Sequence, residues 1–225
     1  MNVRGSNAFG AVLLVVSVAI LFVGLFHRET SGETLDDVAR SLAEHATADR
    51  IVHGTVAALL VAIVVAYVDL GYRIGFGYTS VRCAVTLGTL SIVAMIGIPM
   101  VDGIVLPTVA ERYVQPDAAG QIEGFRSLLR LVAIGVVPAL TVCAAICFAA
   151  STLSWCIAFR VSAFRSNVLA ALGCVLAATS VVGVGASLGP IVLKVCLLLW
   201  NLSVAIVWLG GDLPDATIER SSPTR

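Results

Sequence analysis

The sequence predicts an all-α fold, a polytopic membrane helix bundle of about six transmembrane helices with a short amphipathic helix in the first outer loop. Three observations predict it. Of the 225 residues, 59% are hydrophobic and only 12% charged, and the mean hydropathy is +1.00, a composition far from that of soluble domains. The apolar residues gather into runs near the length of about 20 residues that a helix needs to cross the hydrocarbon core. Between these runs lie shorter polar segments that hold most of the charge.

The first run, residues 8–26, follows Arg4 and shows no small-residue cleavage site before His27 and Arg28, so it reads as a retained anchor. Next, Thr34-Leu35-Asp36-Asp37 has the form of a capping box, and Leu35, Val38, Ala39 and Leu42 recur at helical spacing. This predicts the short amphipathic helix, placed as a cap on the bundle because its acidic polar face disfavours anionic lipid. Runs at 51–71, 83–106, 131–155, 167–187 and 191–210 supply the other spans, the last two separated by a reversal through Ser187, Leu188, Gly189 and Pro190. Residues 1–210 therefore form a single transmembrane helical domain, and residues 211–225 a polar tail expected to be disordered.

Orientation follows the short basic loops. Those carrying Arg73 with Arg82, and Arg160 with Arg165, are predicted to face the cytoplasm, which puts both termini there and turns the longer loops at 27–50 and 107–130 outward. Tyr72, Tyr78, Trp155 and Trp208 are then expected in an aromatic belt at the cytoplasmic boundary. An Arg-, Ala- and Val-rich chain whose one lysine is Lys194 suits a GC-rich bacterial genome, so the expected location is the bacterial cytoplasmic membrane, with the lipid bilayer as the first partner.

Several chemistries are argued against. A formal net charge of +0 offers no basic face for nucleic acid. The six cysteines lie in or beside apolar runs without a CxxC, which favours packing over disulfide or metal chemistry. Neither G-x-S-x-G, H-E-x-x-H nor a phosphate-cradling lysine loop occurs. His45, Asp49 and His53 share a helix face, but eight residues span about 12 Å whereas zinc ligands lie about 2 Å from the ion. No catalytic residue, metal or cofactor is predicted.

The submerged ionisable residues are the candidate site. In the predicted topology Asp102 lies about 7.5 Å below the outer end of the third span and Lys194 about 6 Å below the turn at Pro190. His53 opens the second span at the same level, and Arg130 introduces the fourth. A carboxylate at this depth acquires a partner or a proton, and Lys194, Arg130 and His53 are within the same layer. Pro99 removes a backbone donor and Gly103 permits a bend, so irregular backbone is expected to line a wet outer cavity. Ala84, Gly88, Ser91, Met95, Ile98 and Asp102 fall along one stripe, which turns Asp102 toward the bundle. The plainer alternative has Asp102 and Lys194 snorkelling to the interface. Asp69, beside Gly71 and Arg73, reads as an interface residue paired with arginine.

The layout from the first span through His27, an acidic helical loop and a second span opening with His53-Gly54 resembles small uncharacterised bacterial multi-span proteins grouped as domains of unknown function. The resemblance covers the first third of the chain and implies no substrate or catalytic residue. Function is thus read from Asp102, His53, Lys194 and Arg130 as binding of a small molecule or membrane-protein partner near the outer face. The alternatives are a small proton-coupled secondary transporter and a membrane-embedded enzyme using His53 and Asp102 as an acid/base pair.

Overall fold

The computed structural model describes residues 3–26, 34–114, 122–161, 166–185 and 189–209, and no strand occurs among them. The helices are α1 (Val3–Phe26), α2 (Leu35–Ile74), α3 (Thr79–Met100), α4 (Leu106–Tyr113), α5 (Ile122–Arg130), α6 (Val137–Val161), α7 (Asn167–Gly185) and α8 (Gly189–Leu209). A π-helical turn, Val101–Val105, joins α3 to α4, and another, Leu131–Val136, joins α5 to α6. The tail at 211–225, Ser187 and Leu188 of the expected reversal, His27 and Arg165 lie outside the described residues.

Five rods are long and apolar enough to cross a membrane: Leu35–Ile74, Thr79–Tyr113, Glu123–Val161, Asn167–Val184 and Ile191–Leu209. Helix α1 adds the apolar stretch Gly10–Val23. Helix pairs α1–α2, α2–α3, α3–α6, α6–α7, α7–α8 and α8–α1 are in contact, so the long helices close into a ring in chain order. Val65, Val93, Val168, Val182 and Ile206 are exposed on its outside. So much bare apolar surface fits contact with lipid rather than water. The protein is a multi-pass helical membrane bundle.

The expected amphipathic helix is not a separate element. It forms the first turns of α2, whose 40 residues extend roughly 60 Å, about twice the hydrocarbon thickness. The capping box is present as read: the Asp37 backbone N–H donates to Thr34 Oγ1 at 3.2 Å, and the Thr34 N–H returns to Asp37 Oδ2 at 3.1 Å. Between Leu42 and Ile51 no glycine or proline interrupts the helix, while Ala43, Ala46 and Ala48 favour it, so it runs straight into the span. It stops at Gly75, whose φ of +112° suits only glycine; the Gly75 N–H caps the Gly71 carbonyl at 2.9 Å.

These extended ends build a crown outside the main bundle. The start of α2, α4 and α5 pack around Ala39, Leu42, Leu106, Ala110 and Phe125. Tyr113 Oη donates to Asp36 Oδ1 at 2.7 Å, and its ring stacks on Phe125 with centroids 5.0 Å apart. Arg50 pairs with Glu111 and donates to Thr108 Oγ1 at 3.1 Å, fastening α2 to α4. At the opposite end of the bundle Gly10 of α1 sits under Trp208 and Leu209 of α8.

Small residues set the α3–α6 contact, as the stripe on α3 predicts. Ser91 Oγ donates to the Ala144 carbonyl at 2.8 Å and Ser151 Oγ to the Ala84 carbonyl at 2.7 Å. A Cβ on Gly88 would stand 2.9 Å from Ser151 Oγ, so α3 and α6 approach there only because glycine is present. The aromatic belt needs correction. Tyr72 and Tyr78 are exposed, but Trp155 and Trp208 are each only 1% exposed. Trp155 stacks on Phe159 at 5.7 Å, and the Arg73 guanidinium lies 5.5 Å from the centre of the Trp208 ring. Ring closure turns both indoles inward, where their large apolar area finds protein instead of headgroups.

Candidate functional site

Pro99 brings no N–H to bond the Met95 carbonyl, and the helical register slips just beyond it. The Leu106 N–H bonds the Val101 carbonyl five residues back, which defines the π turn. Asp102 and Gly103 stand in this turn. The His53 ring of α2 packs directly on Gly103, in the space that any Cβ at position 103 would occupy. His53 Nδ1 lies 2.9 Å from the Asp49 carbonyl. A carbonyl only accepts, so Nδ1 carries the proton and Nε2 is the lone-pair nitrogen of the neutral ring.

Beside this contact the ring of helices encloses a cavity of about 280 Å³. Its walls are Ile20 and Val23 of α1, Val52, His53, Val56 and Leu60 of α2, and Met95, Ile98, Pro99 and Asp102 of α3 and its π turn. Val137 and Thr141 of α6 and Leu193 and Lys194 of α8 complete it. Seven residues separate His53 from Leu60, and seven separate Met95 from Asp102, so the polar end and the apolar floor lie roughly 10 Å apart. The volume is at the small end for ligand pockets, and the mixture of apolar walls with a few convergent polar groups is their usual make-up. His53 and Asp102 are half-buried and Lys194 is exposed at the wall.

Three of the four sequence-predicted site residues thus line one cavity. Arg130 does not: it is exposed in the last turn of α5, beside the equally exposed Leu131. Sequence reading placed a span boundary at 131, whereas the helix runs through it, and the second π turn resets which side chains face inward. That turn ends with the Val137 N–H bonding the Val132 carbonyl, next to Pro138. The residues that sequence reasoning missed are the apolar walls from α1, α2 and α8 and, on α6, Val137 and Thr141, whose hydroxyl is spent on the Val137 carbonyl at 2.8 Å. A lone threonine four residues after a valine in an apolar run carries no signal that distinguishes a lining position.

Elsewhere, Asp69 pairs with Arg73, Oδ2 to Nε, at 2.6 Å, as the sequence suggests. His45 Nδ1 lies 2.8 Å from the Ser41 carbonyl, so it too is held by its own helix. Among the described residues no three His, Cys, Asp or Glu side chains gather as a metal site. No family model, curated protein or solved structure matches this chain.

Proposed function

We propose that this chain is a multi-pass protein of the bacterial cytoplasmic membrane that binds a small amphiphilic molecule in the crown-side cavity. The observation that carries the reading is that His53, Asp102 and Lys194, brought by three separate elements, line one cavity whose remaining walls are mostly apolar. The apolar body suits a short hydrocarbon chain and the polar end its head. Lys194 attracts an anionic head and Asp102 a cationic one, so the head is charged or zwitterionic. We place the crown on the extracytoplasmic side. In support, the opposite face carries Arg73, Arg82 and Arg160, with Asp69 the one acidic side chain there among the described residues.

Equilibrium binding of octanoate, octylamine and octanol to the purified protein tests the reading. Binding of a charged amphiphile that is abolished by Val56→Trp, which fills the cavity, and retained in Val65→Trp, on the outer surface, supports it. Equal binding by all three probes, insensitive to Val56→Trp, contradicts it. Asp102→Asn and Lys194→Gln then assign the head: loss in one and not the other identifies the charge that is read.

A further inference from the structure

One helical turn below the cavity, α2, α3, α6 and α8 line a second space, of about 20 Å³. Its lining follows that of the cavity at four-residue steps, Val64 after Leu60 on α2, Ser91 before Met95 on α3 and Leu197 after Leu193 on α8, or roughly 6 Å deeper. That volume accommodates one water molecule and no larger ligand.

The polar groups around it are unbalanced in one particular way. Thr152 is 1% exposed, and its Oγ1 has no hydrogen-bond partner among the described residues. Thr55, Thr89, Thr108, Thr141 and Thr179 behave otherwise, each donating to the carbonyl four residues earlier. The methyl group of Thr152 is directed at α7, 3.2 Å from where a Cβ on Gly173 would stand, so the hydroxyl turns away from that helix. Its neighbours in the chamber have the opposite need. Tyr67 Oη donates to Asn201 Oδ1 at 2.6 Å, Ser91 Oγ to the Ala144 carbonyl and Ser151 Oγ to the Ala84 carbonyl. Each has used its one proton and keeps lone pairs.

We infer that the chamber is a binding site for a single water molecule, which accepts from the Thr152 hydroxyl and donates to two of the oxygens of Tyr67, Ser91 and Ser151. One unpartnered donor and several hydroxyl acceptors, Thr89 among them, fall within a water's capacity of two donated and two accepted bonds, and a space of this size with such partners can hold a buried water. The water bridges α6 to α2 and α3 in the middle of the bundle. Leu60 and Met95, which floor the cavity, separate it from the crown-side opening, and both are buried. Toward the other end, Trp155, Phe159 and Trp208 are each 1% exposed and close the axis. The site is independent of what occupies the cavity above.

Water-to-protein magnetisation transfer, recorded by solid-state NMR on the full chain in bilayers with labelled threonine methyl groups, tests the site. Transfer to Thr152 is expected, slower than to Thr141 in the open cavity, with Thr152→Val identifying the signal. Transfer to Thr141 without any to Thr152 in the native chain overturns the site.

Discussion

The imidazole of His53 rests on the backbone of Gly103, an α2 side chain filling the space where any other residue of the π turn would carry its Cβ. Two helices are thereby brought together at the cavity wall, and the ring is held in place by packing as well as by the Asp49 carbonyl. This contact is the keystone of the site, and it is sharply testable.

Gly103→Ala forces the ring or the π turn to move, which for overpacking in a filled interior costs about 1–3 kcal/mol. Gly54→Ala, one residue from His53, meets nothing within 4 Å and gains about 0.5–1 kcal/mol in helix propensity. Adjacent glycine substitutions should therefore shift unfolding in opposite directions, the first lowering and the second raising the thermal midpoint in detergent. Only the first should also weaken amphiphile binding.

The crown should loosen at both ends of the pH range. Hydrogen bonds from the Thr34 side chain and backbone hold the Asp37 carboxyl below its ordinary value. A lowered folded pKa gives stabilisation that is complete above the unfolded value of about 3.9 and lost as pH falls through the folded one. Conversely, the bond to Asp36 raises the Tyr113 hydroxyl above its ordinary value. That contribution is complete below about pH 10 and lost as pH rises through the folded pKa. Amide protection, corrected for the intrinsic pH dependence of exchange, should fall in the first turns of α2 at acid pH in the native chain. Tyr113→Phe should remove the alkaline response while keeping the stack on Phe125, and Thr34→Ala should remove the acid one.

Deep in the bundle, Tyr67 and Asn201 form a hydrogen bond between residues 134 positions apart. Such pairs in membrane bundles contribute about 0.6–2 kcal/mol. A double-mutant cycle of Tyr67→Phe and Asn201→Leu should give a coupling in that range; additive effects would mean the pair is geometrically present but energetically silent.

How far the sequence could be read depended on range. The helices, the capping box at Thr34 and the Asp69–Arg73 pair are local, set by spacing within a turn or two, and they were legible. Position along a span also suggested that His53, Asp102 and Lys194 belong to one region, and the three line one cavity. Facing was legible only in part. Ala84, Ser91 and Met95 are buried as the stripe on α3 requires, but Trp155 and Trp208, read as belt residues, are buried too. The π turns beside Pro99 and Pro138 alter the phase of the helix, and no periodicity rule anticipates by how much. Arg130 fell on the wrong side for that reason. The crown was hidden because Arg50–Glu111 and Tyr113–Asp36 join residues 61 and 77 apart, and the indoles of Trp155 and Trp208 could be assigned inward only once the ring closed.

Photo-crosslinking with a diazirine-bearing octanoate and octylamine, mapped to individual residues in bilayers, tests most directly whether the charged layer and the apolar pocket act as one site. Adducts on Val52, Val56, Ile98 or Leu193 that unlabelled amphiphile displaces are the predicted result. Adducts confined to lipid-facing residues such as Val65, Val93 and Ile206, undiminished by competitor, would contradict it.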